Sequence, residues 1–157
     1  MEYLYIFDLD DTLWSPEVTS TFLPPFVLNG NCISNNTTTI MINKKCLDLI
    51  NEIYLRKGNI AFASRNSNRN IIKNLLSLLK FPNTNVSLLD YSSATFIYPS
   101  HKNIHMFDIH QKTNISYSKM ILFDDKLKNC EIVTYLQVQC IHNKFPRLDE
   151  ITIQQNY

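Results

Sequence analysis

The sequence predicts an α/β fold, a three-layer sandwich around a mostly parallel, Rossmann-like sheet. Three observations predict it. Short, predominantly apolar runs recur at residues 3–7, 59–63, 94–98, 119–123 and 138–142, the first of them uninterrupted, the pattern of strands buried in a parallel sheet. Segments with apolar residues at helical spacing lie between them, which makes right-handed β-α-β crossovers the natural connection. Polar groups gather just after several of the runs, where open α/β sheets bind ligands.

The first run, Tyr3 to Phe7, passes directly into Asp8-Leu9-Asp10-Asp11-Thr12-Leu13-Trp14. Residues 15–42 then lose all periodicity: Pro16, Pro24, Pro25, Gly30 and an Asn/Thr cluster surround the short pieces Phe22-Leu23 and Phe26-Val27-Leu28. They read as an excursion over the sheet edge, a loop or small hairpin. A helix is predicted over 43–57 from Leu47, Ile50, Ile53 and Tyr54, with Asn43 as its cap and Arg56, Lys57 and Gly58 closing it. The second strand, 59–63, ends in Ser64-Arg65-Asn66-Ser67, and a helix over 68–80 buries Ile71, Ile72, Leu75, Leu76 and Leu79. Residues 81–93 carry an apolar patch at Val86, Leu88 and Leu89 without a regular period. The third strand, 94–98, is stopped by Pro99, and Ser100-His101-Lys102 opens a helix to Thr113 that offers Ile104, Phe107 and Ile109 for packing. The fourth strand, 119–123, runs into Asp124-Asp125; a helix over 127–136, the fifth strand and a short terminal helix near 147–155 complete the chain.

Composition bounds the function classes. The 157 residues suit one domain, 1–157, whose 45% apolar and 18% charged content describes a folded globular protein. A net charge of +1 and the lack of a basic stripe with interleaved aromatics argue against nucleic acid and anionic membranes as partners. No run reaches membrane-spanning length and no secretory leader is visible, so a cytoplasmic, intracellular site is expected, and the glycosylation-type triplets at Asn36, Asn85 and Asn114 carry no weight. Cys32, Cys46, Cys130 and Cys140 form no C-x-x-C pair and read as buried, reduced thiols. Two glycines, Gly30 and Gly58, are too few for a glycine-rich phosphate loop.

The chemistry lies in the strand ends. Taken alone, Asp8 to Thr12 also describes an acidic turn or a helix cap, Ser64 and Arg65 a helix start, and Lys102 a surface lysine. Together, Asp8, Asp10, Asp124 and Asp125 supply an oxygen-rich set that suits Mg²⁺ better than zinc. Ser64 and Lys102 supply the donor and the positive charge that a phosphoryl group requires. Asp8 can act as a nucleophile and Asp10, two residues on, as a general acid and base. His101, His105 and His110 lack the companion ligands of a zinc site, His142 reads as a core histidine, and Trp14 as a core residue or a lining of the site mouth.

These motifs, in this order, resemble the haloacid dehalogenase (HAD) superfamily, and more closely its magnesium-dependent phosphatase family. The resemblance rests on FDLDDTLW, PPF at 24–26, ASRNS at 63–67, IYPSHK at 97–102, MILFDDKLKN at 120–129 and CIH at 140–142. It implies a HAD-like fold without a large cap domain and a Mg²⁺-dependent phosphomonoesterase working through an aspartyl-phosphate on Asp8. Asp10 would be the acid/base, Ser64, Lys102 and Arg65 the phosphate and substrate contacts, and Asp8, the Asp10 carbonyl, Asp124 and Asp125 the metal ligands. The implied substrates are phosphotyrosine-type phosphoproteins or small sugar phosphates; the oligomeric state stays open, with a monomer favoured. Asp11 departs from the aromatic residue common at its position. A receiver-like phosphate-binding module, a silent relative used for binding and a nucleic-acid end phosphatase are the competing readings; in a receiver the acceptor aspartate follows a middle strand, whereas here the D-x-D pair follows the first.

Overall fold

The computed structural model describes residues 2–142. Its first strand, β1 (Leu4–Phe7), is followed by four short strands, β2 (Trp14–Ser15), β3 (Val27–Asn29), β4 (Cys32–Ser34) and β5 (Thr39–Ile42). Then come α1 (Lys44–Leu55), β6 (Asn59–Ser64), α2 (Arg69–Leu78), α3 (Leu88–Tyr91), β7 (Ala94–Ile97) and α4 (Lys102–Thr113). A 3₁₀ turn at Tyr117–Lys119 leads into β8 (Met120–Asp124), α5 (Leu127–Thr134) and β9 (Gln139–His142). The terminal helix expected near 147–155 lies outside the described residues.

Five strands form one parallel sheet in the order β7-β6-β1-β8-β9. The chain works outward from β1 to β7 on one side and returns through α4 to β8 on the other, so the strand order reverses at β1. In register, Phe7 lies beside both Phe62 and Phe123, and the next positions, Asp8, Ala63 and Asp124, stand at one end of the sheet. Side chains alternate between its faces. Tyr5, Phe7, Ile60, Phe62, Ile121 and Phe123 pack against Cys46, Ile50 and Ile53 of α1 and Ile72, Leu75 and Leu76 of α2. Leu4, Ile6, Ala61, Ala63, Met120 and Leu122 meet Met106 and Ile109 of α4 and Val133 of α5. Alanines on this second face allow α4 to lie close to the sheet.

The excursion at 15–42 is more ordered than its composition suggests. With Trp14 it builds an antiparallel sheet, β2-β5-β4-β3, in which Trp14 pairs with Ile42 and Ile33 with Ile40. Val18, Phe22, Ile33, Ile40 and Ile42 join the core that also holds α1.

Other expectations need correction. Cys130 and Cys140 are not reduced thiols: a disulfide joins them and ties α5 to β9, while Cys32 and Cys46 remain free. The expected closure of α1 by Arg56, Lys57 and Gly58 takes a definite form, with Lys57 as its left-handed residue. Lys57 N–H donates to Tyr54 O at 2.9 Å and Gly58 N–H to Ile53 O at 2.9 Å, the paired bonds of a Schellman end. Gly58 is needed for space, since a Cβ there would stand 2.7 Å from Ile53 Cγ2. Ile104 and Phe107 are exposed on α4, whose inner face uses Lys102, His105, Met106 and Ile109 instead. Ile71 is half-buried.

Candidate active site

Asp8 follows the last residue of β1 and is 8% exposed. Its backbone N–H donates to Phe123 O, which extends the sheet bonding one residue past the strand. Thr12 Oγ1 donates to Asp8 Oδ2 at 3.2 Å, and Lys102 Nζ donates to Asp8 Oδ1 at 2.8 Å. Lys102, the first residue of α4, is fully buried, and its ammonium also donates to Ala63 O at 2.7 Å and lies 3.3 Å from Asp124 Oδ2. One cation thus ties the ends of β1, β6 and β8 together from beneath. Asp124 is further fixed by the Lys126 N–H at 2.9 Å and by the Asn129 amide at 3.1 and 3.2 Å.

The order of these groups sets their electrostatics. Burial pushes the Asp8 carboxyl up to about 7 against the pull of Lys102. Asp124 and Asp125 are also raised, with burial the leading cause. For Lys102, burial works against the ammonium, but Asp8 and Asp124 outweigh it and raise its pKa. One ammonium therefore meets two, Asp8 and Asp124, of three carboxylates that burial discourages from ionising. Oxygens of Asp8, Asp124 and Asp125 lie within 4.8 Å of one another. An oxygen-only set short of positive charge fits a hard divalent cation. Among the described residues no other group of three or more His, Cys, Asp or Glu could hold a metal, so the histidines of α4 form no metal cluster.

A cavity of about 300 Å³ opens above these groups, and Asp8, Asp10, Ser64, Arg65, Lys102 and Asp125 all line it. Six of the seven residues singled out in the sequence thus share one cavity, and the seventh, Asp124, supports it from behind. Ser64 is buried at the end of β6 and Arg65 is exposed at the rim. Asp11, Glu17, Asn66, Pro99, Lys126 and Asn129 complete the wall.

Several contributors escaped the sequence reading. Trp14 does not line the mouth: it is fully buried, and its Nε1 donates to Asp10 Oδ1 at 2.9 Å. Asn66 donates to Asp10 Oδ2 at 2.8 Å, and its own N–H donates to Ser64 Oγ at 3.1 Å. His142 is exposed rather than a core residue, and its Nε2 lies 2.9 Å from Asp125 O. Asp11 adopts φ 59°, gives its N–H to Trp14 O at 2.7 Å and accepts from Ser15 Oγ at 3.1 Å. It is thus the pivot of a tight turn as well as a wall of the cavity. The four-residue spacing from Asp10 to Trp14 was the one signal in the sequence that could have linked these partners.

A family model described as acid phosphatase matches residues 1–145. A HAD-like hydrolase superfamily protein of Schizosaccharomyces pombe is 29% identical over 142 residues, which cover 84% of this chain and 83% of that protein. Magnesium-dependent phosphatase 1 of Homo sapiens is 32% identical over 141 residues, covering 88% and 76%. Among solved structures, the N-terminal part of a Bacteroides fragilis protein, containing a phosphatase domain and complexed with Mg, aligns with a TM-score of 0.65 at 17% identity. The alignment covers 90% of this chain but only 36% of that one. A HAD family enzyme of Bacteroides thetaiotaomicron in complex with magnesium and inorganic phosphate aligns with a TM-score of 0.54 at 17% identity, over 69% of this chain and 56% of its own. At such identities the structural likeness speaks for the fold alone.

Proposed function

The chain belongs to the acid phosphatase family, within the HAD superfamily of Mg²⁺-dependent phosphatases, and from that premise we propose that it hydrolyses phosphomonoesters through an aspartyl-phosphate on Asp8. The observation that supports the reading most strongly is the position of Asp8. It stands at the end of the central strand, held by Thr12 and Lys102, in the same cavity as Ser64 and Asp125. Asp8 attacks phosphorus while Ser64 and Lys102 hold the peripheral oxygens; the leaving oxygen takes a proton from Asp10, which later accepts one from the water that releases phosphate. Asp8, the Asp10 carbonyl, Asp124 and Asp125 would hold Mg²⁺. When bound, the ion offsets the repulsion between an anionic nucleophile and an anionic phosphate.

Arg65 at the rim is placed to meet the substrate beyond its phosphate. With no large cap in the described residues, the cavity admits either a phosphotyrosine side chain or a small sugar phosphate. Asp8→Asn is expected to lower phosphate release from 4-nitrophenyl phosphate by roughly a thousandfold or more, as loss of a covalent nucleophile does. Acid-quenched turnover should leave phosphate on the peptide that carries Asp8. Undiminished turnover in Asp8→Asn, or phosphate trapped on another residue, would refute the mechanism.

A further inference from the structure

Asn66 uses every hydrogen-bonding valence of its side chain. Its amide nitrogen donates to Asp10 Oδ2 and to Val18 O, each at 2.8 Å. Its amide oxygen accepts from the backbone N–H and the side-chain amide of Asn68, each at 2.8 Å. Because the Asn68 N–H can only donate, the atom facing it is the oxygen, and the nitrogen must face Asp10. Val18 N–H in turn donates to Asp10 Oδ1 at 3.0 Å, so Asp10, Val18 and Asn66 close a ring of hydrogen bonds.

That ring treats the two oxygens of Asp10 unequally. Among the described residues, Oδ1 accepts twice, from Trp14 Nε1 and from Val18 N–H, whereas Oδ2 accepts once, from Asn66. A carboxylate oxygen has two in-plane lone pairs, so Oδ1 is filled and Oδ2 keeps one open. Only an amide suits position 66. An aspartate would set an acceptor against Oδ2, and a serine has one proton for two acceptors.

We propose that Asn66 is a positioning residue for proton transfer to the leaving group: it aims the one open lone pair of Asp10, on Oδ2, into the cavity. This inference rests on the acid role given to Asp10 above. As the bond from Asp8 oxygen to phosphorus forms and the bond from phosphorus to the leaving oxygen breaks, the proton on Oδ2 passes to the leaving oxygen. The requirement is steepest for poor leaving groups, because a nitrophenolate departs without a proton and an alkoxide does not.

The test compares kcat/KM for 4-nitrophenyl phosphate and for a simple alkyl phosphate in the wild type, Asn66→Ala, Asn66→Asp and Asp10→Asn, all with Mg²⁺. Because kcat/KM covers only the steps through cleavage of the ester bond, water attack on the intermediate does not enter it. Asn66→Ala is expected to fall by about thirtyfold or more on the alkyl ester and by less than about threefold on the aryl ester, the selective loss of a general acid. Asn66→Asp, isosteric and still able to accept from Asn68, should show the same selectivity and serves if the alanine variant does not fold. Equal losses on both esters in the Asn66 variants, with selective loss in Asp10→Asn, would overturn the positioning role alone. Equal losses in Asp10→Asn would overturn the acid role of Asp10 and the inference with it.

Discussion

Lys102 shows how far a residue's meaning depends on its surroundings. In the sequence it is one lysine after a proline; in the fold it is fully buried between Asp8 and Asp124. Lys102→Met removes the one ammonium that, among the described residues, lies beneath the carboxylates, and breaking a buried ion pair from one side costs about 3–5 kcal/mol. Urea denaturation should show that loss without metal and a partial recovery with Mg²⁺, while phosphate release stays abolished. His105, on the same helix, is buried, with Nε2 against Tyr98 O at 3.0 Å and Nδ1 unpartnered. Burial holds its pKa down at about 4, against an ordinary value of 6.5. The unfolded chain therefore takes up this proton first, so its contribution to stability is complete above pH 6.5 and is lost as pH falls toward 4. His105→Gln should flatten the fall in unfolding free energy across that window by about 2 kcal/mol, read from urea midpoints at successive pH values. Asp8 and Asp10 were legible as strand-end carboxylates because the apolar run stops at Phe7, directly before them. Trp14 and Asn66 were not, because their roles depend on where a neighbouring loop folds back.

At the scale of elements, the helices that follow strands were legible from period and caps, and the pieces made by turns were not. Asn43 caps α1, accepting from Cys46 N–H at 3.4 Å, and its amide donates to Thr12 O at 3.2 Å. Replacing it with alanine should lower stability by about 1 kcal/mol, measurable by thermal melting. The short α3 was missed although its capping box, Ser87 with Asp90, stands in the sequence. Four residues are simply too few to show a helical period. The strands of the excursion were obscured differently. Thr39 to Ile42 alternates exposed and buried, but β3 is exposed throughout, so no hydrophobic pattern marks it. The bond between Cys130 and Cys140 closes a loop of separation 10. Its reduction should lower stability by about 2–3 kcal/mol, seen as a lower melting temperature in dithiothreitol and reproduced by Cys130→Ser.

At the scale of the molecule, a mostly parallel sheet was the strongest expectation; its strand order reverses at β1, and its carboxyl ends carry the candidate site. The ends of β1, β6, β7 and β8 can all contribute groups because the strands run the same way, so their carboxyl ends share one edge. Strand order was not legible, since every buried run has the same apolar character and only tertiary packing assigns neighbours. The contact between Lys102 and Asp8 spans 94 positions. A chain emerging from the ribosome therefore holds the residues of β1 and the antiparallel sheet before Lys102 and the second carboxylate pair have been made. On the mechanism proposed for Asp8, phosphate release requires synthesis and folding through Asp125, so the appearance of activity during synthesis would be a clock for the last long-range step.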